Sequence, residues 1–307
     1  MLQLARSLQT TKSLSSQRAL LQSLTAKPAR INPQVISRRP VATKPLYESH
    51  IPLNWFEHAF LTVGSALRAV TDPRRADMVA AFGELTAGPC LPRLRDRMLE
   101  DSEGRRILVE RPRVNTETVD MERLAGCAEG TFGRAYVTWL QRCGVTPDTR
   151  APVHYIDDPE LAYVMQRYRE CHDFYHCIFN LPVNVESEIA LKFFEFANLG
   201  IPMAGFAAVF APLRITVAQR GRLYSEFAPW ALKCGGTAKS LITVYWEKRW
   251  DQSVEDIKKD RDCHRIEAAE GIPRTMRPND DPPPPIIIRI PYCLMLGTHC
   301  GAPQLHL

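Results

Sequence analysis

The sequence lacks any regular spacing of cysteines. Its 307 residues include nine cysteines, an odd number with no paired arrangement. This is evidence against a disulfide framework and favours a reducing compartment. The sequence also lacks internal repeats and convincing runs in which apolar and polar residues alternate, so half-buried β-strands are not predicted.

Acidic residues are absent from the N-terminal part of the chain. Residues 1–45 contain eight lysines or arginines, and the first acidic residue is Glu48. The net charge of the whole chain is +5, but without those eight residues 31 basic side chains face 34 acidic ones, a net charge of −3. The basic character therefore belongs to the N-terminus, and the body of the chain gives no support for a nucleic-acid partner.

The acid-free N-terminus is typical of a mitochondrial transit peptide. It is rich in serine and threonine, and its leucines alternate with spaced basic residues such as Arg6, Lys12 and Arg18. Because Arg6 and Lys12 interrupt the apolar residues early, no secretory signal is predicted. We interpret residues 1–45 as a transit peptide; the alternative is a disordered basic tail.

The sequence also lacks an uninterrupted apolar run long enough to span a membrane. The eighteen residues Phe196–Leu213 carry no charge, but Gly200, Pro202, Gly205 and Pro212 interrupt them. A buried core segment is the plainer interpretation of this stretch. The functional alternative is an apolar wall that faces a lipid tail or a membrane surface.

Most of the chain has the features of α-helices. Helices are predicted to begin at Asn54, at Asp72-Pro73 and at Thr131, and to occupy about 158–179, 185–200, 214–233 and 239–258. Short turns between them predict an all-α, single multi-helix domain over residues 46–262. Residues 263–307 contain four consecutive prolines, Pro282 to Pro285, and are predicted to be a disordered tail.

The pattern with the most chemical information is His172-Asp173 with His176 four residues after the first histidine. Side chains at i and i+4 lie one above the other on a helix. Glu188, on the next predicted helix, completes a set of two imidazoles and two carboxylates. Such a set suits a divalent metal, and Zn, Fe and Mn all remain open. The sequence therefore predicts a metal site between two consecutive helices.

The same residues have an ordinary structural interpretation. His172 and His176 can be core histidines, with Asp173 paired to Arg169 one turn earlier. Glu188 can pair with Lys192 at i+4. Another acidic residue nearby, Glu186, competes with Glu188 for the position of the fourth ligand.

The motif resembles the signature of a known family. His172-Asp173-x-x-His176, followed after eleven residues by Glu188, is similar to the pattern of the fourth protein of the Coq series, which acts in mitochondrial ubiquinone (coenzyme Q) biosynthesis. Further similar segments lie at 72–79, 147–152, 157–164, 167–170, 210–214 and 245–250. The resemblance covers about residues 46–262 and ends near Arg261.

The resemblance implies an activity and a location. The expected reaction is C1-decarboxylation of 4-hydroxy-3-methoxy-5-polyprenylbenzoate to 2-methoxy-6-polyprenylphenol, alone or coupled to oxidation at C1. The expected partners are other ubiquinone-biosynthesis enzymes in a multiprotein complex on the matrix side of the mitochondrial inner membrane. Zinc is the first choice of metal, and the catalytic side chains stay unassigned. The alternatives are a lipid-binding scaffold for that complex and a metallohydrolase, because the motif is similar to the zincin pattern with Asp in place of Glu.

A polyprenylated benzoate implies two kinds of contact near the metal. Arg169 and Lys192 lie close enough in sequence to the predicted ligands to meet the substrate carboxylate, although structural ion pairs are an alternative for both. Phe206 and Phe210 follow the helix predicted to carry Glu188 and are candidates for binding the polyprenyl tail or the membrane.

Overall fold

The structure is a computed structural model that describes residues 44–72 and 75–263. The predicted leader, up to residue 43, and the predicted tail, from residue 264, lie outside the described residues. Within the described ranges the fold is helical and contains no strand, only an isolated antiparallel bridge between Thr131 and Ser253. This confirms the all-α prediction. In these ranges no helix combines the length and the apolar character that crossing a membrane requires.

The α-helices are numbered here in chain order. They are α1 (Trp55–Thr71), α2 (Ala76–Thr86), α3 (Leu91–Glu100), α4 (Ser102–Glu110), α5 (Met121–Ala125), α6 (Phe132–Cys143), α7 (Pro159–Phe179), α8 (Val185–Leu199), α9 (Pro202–Phe210), α10 (Val217–Arg222), α11 (Ala228–Thr237) and α12 (Val254–Asp260). A π-helical turn, Leu223–Phe227, joins α10 to α11. Helices α3, α4 and α5 lie in a part of the chain for which the sequence analysis assigned no helix.

Helix α7 is the central helix of the described fold. Asp158 caps its N-terminus by accepting hydrogen bonds from the backbone N–H groups of Glu160 and Leu161, at 2.9 and 3.2 Å. The helix ends where Asn180 adopts a left-handed conformation, with φ of 51°. These are the boundaries that the sequence predicts. Residues 162–178 are buried except for Arg169, so neighbouring elements surround the helix on nearly all sides.

An aromatic cluster holds α7 in position. The Phe174 ring packs edge-on against Phe132 and Tyr136 of α6, at centroid distances of 5.2 and 4.8 Å. The rings of Trp246 and Trp250 complete the cluster, and Trp250 stacks on Phe132 at 5.1 Å. Aromatic burial on this scale is a large stabilising contribution. It fixes the helix that carries the predicted metal ligands.

The predicted helix over 239–258 is wrong. The structure has short 3₁₀ turns at Leu241–Thr243 and Trp246–Lys248, and a helix only from Val254. The Asn198 side-chain oxygen accepts the Leu241 N–H at 3.0 Å, so this backbone donor is satisfied by a side chain of α8. Every residue from 241 to 246 is buried. Burial on all sides removes the one-sided apolar pattern that would distinguish a helix from an irregular core segment.

Candidate metal centre

Three of the predicted ligands meet between α7 and α8. One ligand atom from each of His172, His176 and Glu188 lies within 4.8 Å of the others. The Glu188 carboxylate is 2.9 Å from His176 Nε2 and 3.3 Å from His172 Nε2. The two imidazole rings are nearly perpendicular, with centroids 4.9 Å apart. Both histidines are buried, and the Glu188 side chain is 31% exposed, so the group is reached from the carboxylate side.

The outer nitrogens of the two rings show which nitrogens face the centre of the group. His172 Nδ1 is 2.6 Å from a Glu195 carboxylate oxygen, and His176 Nδ1 is 3.3 Å from the Leu181 carbonyl oxygen. Both of these oxygens are acceptors, so a ring with its proton on Nδ1 can donate that proton to them. In this tautomer each neutral ring presents the lone pair of its Nε2 to Glu188, which is also an acceptor. A cation shared by the two nitrogen lone pairs and the carboxylate, either a proton or a metal ion, would satisfy all three groups.

The electrostatics of the group favour that cation. Burial and Lys192 lower the pKa of His172, but the carboxylates of Glu195 and Glu188 raise it more, and the net shift is upward. Burial raises the pKa of Glu188, but the charges of His172 and Lys192 hold it well below its usual range. The site therefore favours the protonated form of His172 while it keeps the Glu188 carboxylate ionised. A divalent metal bound by the same three groups would replace those protons, so the donor set fits such an ion.

Asp173 lies outside this group. It is buried, and its carboxylate forms an ion pair with Arg150 rather than with Arg169. Arg150 follows the 3₁₀ turn Pro147–Thr149, so the partner of Asp173 comes from a segment 23 residues earlier in the chain. The structure thus brings together three of the four predicted ligands. The role of Asp173 as a ligand stays a prediction.

Of the other charged candidates, one lies beside the histidines and two bind other partners. Glu186 forms a bidentate pair with Arg222 at 2.8 and 3.1 Å, so its carboxylate is directed away from the histidines. The Arg169 guanidinium is 10% exposed and donates to Glu84 at 2.8 Å, which is the ion-pair alternative for this residue; its contact with substrate stays a prediction. Lys192 does lie at the site: its Nζ is 3.5 Å from a Glu188 oxygen.

The sequence analysis missed Glu195, which is fully buried beside His172. Its carboxylate also accepts hydrogen bonds from Lys192 Nζ at 2.7 Å and from the Tyr168 hydroxyl at 2.9 Å. Burial raises the pKa of Glu195, but the charges of Lys192 and His172 bring it down to about 2. The signal was available, because Glu188, Lys192 and Glu195 are spaced i, i+4 and i+7 and share one helical face.

The two phenylalanines proposed to bind lipid lie on α9. The Phe206 ring packs against Phe82 of α2, with centroids 4.8 Å apart, and against Phe210 at 4.4 Å. Phe210 is 40% exposed, and Val209 and Leu213 beside it are more exposed, at 62% and 67%. Phe206 therefore contributes to packing between helices, whereas Phe210 belongs to an apolar surface.

A second exposed apolar surface lies on α1 and was also missed. Phe56, Phe60, Val63 and Leu67 recur at helical spacing, and each is more than 60% exposed. Trp55, at the start of α1, is 78% exposed. The signal was the i, i+4, i+7, i+11 spacing, which predicts an apolar stripe but not whether the stripe faces the core or the exterior.

Comparisons with known proteins agree with the motif. The sequence profile of the coenzyme Q (ubiquinone) biosynthesis protein Coq4 matches residues 47–267. The chain is 70% identical over 224 residues to the mitochondrial ubiquinone biosynthesis protein COQ4 of Coprinopsis cinerea, which covers 73% of this chain and 77% of that protein.

More distant relatives extend this similarity. The protein of the same name from Aspergillus niger is 51% identical over 234 residues, covering 76% of this chain and 80% of the relative. The crystal structure of a candidate ubiquinone biosynthesis protein from Nostoc punctiforme superposes with a TM-score of 0.53 and 20% identity, over 69% of this chain and 99% of that one. The crystal structure therefore supports the fold.

Proposed function

The chain belongs to the Coq4 family and acts in ubiquinone biosynthesis, and we propose that it catalyses the C1-decarboxylation of 4-hydroxy-3-methoxy-5-polyprenylbenzoate. In this reaction the bond between C1 and the carboxylate breaks and CO₂ leaves. The electron pair of that bond stays on C1, and a proton takes the place of the carboxylate. The product is 2-methoxy-6-polyprenylphenol, and no oxidant is consumed.

The observation that carries this proposal is the group formed by His172, His176 and Glu188. A divalent metal bound there, zinc by preference and iron or manganese as alternatives, would orient the substrate and polarise one of its oxygens as a Lewis acid. The protein holds both imidazoles with Nε2 directed at one point, so the ligands are arranged before an ion binds. Lys192, 3.5 Å from Glu188, adds a positive charge beside the site that can attract the substrate carboxylate.

The three ligands that the fold brings together, counted without Asp173, favour catalysis over a purely structural metal. Zinc sites that stabilise a fold have four protein ligands, whereas catalytic zinc sites have three and leave a position for substrate or water. Asp173, which would be the fourth ligand, is ion-paired with Arg150. The same pairing is evidence against a metallohydrolase, because Asp173 would have to act as the general base of a zincin-like motif.

A second candidate function is a lipid-binding scaffold for other ubiquinone-biosynthesis enzymes. The exposed apolar residues of α1 and α9 favour it, since large apolar patches mark surfaces that bind proteins or membranes. The two functions are compatible, because an enzyme acting on a polyprenylated substrate must reach the membrane that dissolves it. We propose a peripheral position on the matrix side of the mitochondrial inner membrane, which agrees with the mitochondrial naming of the relatives.

The decisive experiment combines metal analysis with turnover. The purified protein is loaded with zinc, iron or manganese and supplied with 4-hydroxy-3-methoxy-5-polyprenylbenzoate in vesicles, and CO₂ and phenol are quantified. We expect equal amounts of both products from the wild type, and none from a variant with His172 and His176 both changed to Ala. His58→Ala, at an exposed position of α1, is the control and should retain turnover. Metal-loaded wild type without turnover would favour the scaffold.

A further inference from the structure

Glu195 has no direct place in the proposed set of metal ligands, yet it is the most completely enclosed acidic side chain near them. It is fully buried on α8, and each of its oxygens accepts hydrogen bonds. One oxygen lies 2.6 Å from His172 Nδ1, and the other accepts from Tyr168 and Lys192. An ionised carboxylate is costly to bury without such donors, so these three side chains account for its presence.

The two helices face each other in a fixed order. Tyr168, His172 and His176 are spaced at i, i+4 and i+8 on α7, and their partners Glu195 and Glu188 follow in the opposite direction on α8. Side chains at these spacings share one face of a helix. His172 therefore lies between two carboxylates, with Glu195 at Nδ1 and Glu188 at Nε2.

The carboxylates of Glu195 and Glu188 differ in whether an incoming ion can reach them. Glu195 has no exposed surface, while the Glu188 side chain is 31% exposed and lies beside both histidines. An ion approaching the group can therefore reach Glu188, whereas Glu195 is behind the His172 ring. Lys192 Nζ lies 2.7 Å from Glu195 and 3.5 Å from Glu188, so its positive charge reduces the electrostatic repulsion between the two carboxylates.

We propose that Glu195 is a positioning residue that fixes the ring of His172 with its proton on Nδ1, so that Nε2 is available to the metal. This proposal rests on the proposed metal site and assigns a function to a residue outside the ligand motif. A carboxylate at the far nitrogen of a metal-binding histidine sets the tautomer and orientation of the ring and makes the ligand nitrogen more basic. Tyr168 and Lys192 in turn hold Glu195.

The test compares two buried glutamates. Glu195→Gln keeps the size of the side chain and removes its charge. Glu170→Gln is the matched control: Glu170 is also buried, accepts hydrogen bonds from Arg113, Gln166 and the Val114 backbone, and contacts none of the ligands. Zinc affinity is measured by competition with a chromophoric chelator. We expect Glu195→Gln to bind zinc roughly 10–100-fold more weakly than wild type, and Glu170→Gln to bind it as the wild type does.

A second readout requires no metal. In metal-free protein with ¹⁵N-labelled histidine, at a pH where the rings are neutral, NMR reports which nitrogen of His172 carries the proton. We expect Nδ1–H in the wild type and in Glu170→Gln, and a loss of that preference in Glu195→Gln. Unchanged zinc affinity together with an unchanged His172 tautomer in Glu195→Gln would overturn the proposal.

The two readouts separate the positioning role from the metal site itself. If the wild type binds no metal, the proposed function fails, and the His172 tautomer still decides whether Glu195 orients the ring. If Glu195→Gln does not fold, Tyr168→Phe replaces it, because this change removes one hydrogen bond to Glu195 and preserves the packed ring. We then expect a smaller but measurable loss of zinc affinity, and wild-type affinity in Tyr168→Phe would count against the proposal.

Discussion

At the scale of single residues, identical side chains on α8 have different roles because their neighbours differ. Glu186 and Glu188 are two residues apart, so they lie on different faces of the helix. Glu186 forms a bidentate pair with Arg222, and Glu188 meets the two histidines. From the sequence, either glutamate could be the fourth ligand. In the structure only Glu188 lies beside the histidines, because Glu186 is paired with Arg222.

The first prediction at this scale concerns metal content. Glu188→Gln removes the carboxylate that faces both imidazoles, so the purified variant should lose most of its bound metal. Glu186→Gln should keep wild-type metal content, because that carboxylate is engaged by Arg222. Elemental analysis of both proteins, with circular dichroism to verify folding, measures the difference. Equal metal content in the two variants would show that Glu188 is not a ligand.

At the scale of elements, α1 differs from the other long helices. Its one fully buried residue is Ser65, while its three aromatic residues, Val63 and Leu67 are exposed. Asn54 and Glu57 form a capping box that stabilises its first turn. The helix is thus well formed without burying its apolar stripe, which leaves that stripe available to a lipid surface.

The prediction for α1 concerns binding to phosphatidylcholine vesicles. The Phe60 side chain is 72% exposed, and moving a phenylalanine from water into an apolar phase contributes roughly 1.5–3 kcal/mol. Phe60→Asp should therefore weaken vesicle binding by about tenfold or more without changing metal content. His58→Asp places the same charge on an exposed polar position of α1 and should have little effect.

A parallel change on α9 distinguishes the two apolar surfaces. Phe210→Asp should weaken vesicle binding if α9 also meets the membrane, and vesicle sedimentation measures both effects. Wild-type binding by Phe60→Asp and Phe210→Asp together would exclude a membrane contact through either helix. Loss of the fold in Phe210→Asp, seen by circular dichroism, would instead assign that residue to the core.

At the scale of the whole molecule, the described core begins after the basic leader. His50 is buried and bonded to Asp157, two residues before α7, so the segment just after residue 45 already packs against the segment that leads into the central helix. The eight basic residues of 1–45 precede this point. Folding and targeting are therefore predicted to reside in different parts of the chain.

This division predicts the behaviour of a shortened protein. A chain without residues 1–45 should unfold at the same temperature as the full chain, because the described core is built from residues that follow the leader. It should fail to enter isolated mitochondria, because the basic amphipathic signal is missing. Thermal unfolding and an import assay measure the two properties. Import as efficient as that of the full chain would refute the transit-peptide interpretation.

Local rules of helix formation account for what the sequence alone determined. Asp158 and Asn180 delimit α7 through capping and a left-handed turn, both encoded by adjacent residues. Helical spacing places His172 and His176 on one face wherever the helix lies. The two histidines on one face and the next helix with Glu188 were therefore predictable before any tertiary contact was known, and the resemblance of the motif indicated the family.

Contacts between segments distant in the sequence determined the features that the sequence did not predict. Asp173 lies next to His172 in the sequence, but Arg150 from another segment binds its carboxylate. Glu195 is 23 residues from His172, and only the packing of α8 against α7 makes them neighbours. The apolar stripe of α1 is visible in the sequence, yet its exposure is not. Spacing along the chain determines which side chains share a face, whereas packing determines what that face meets.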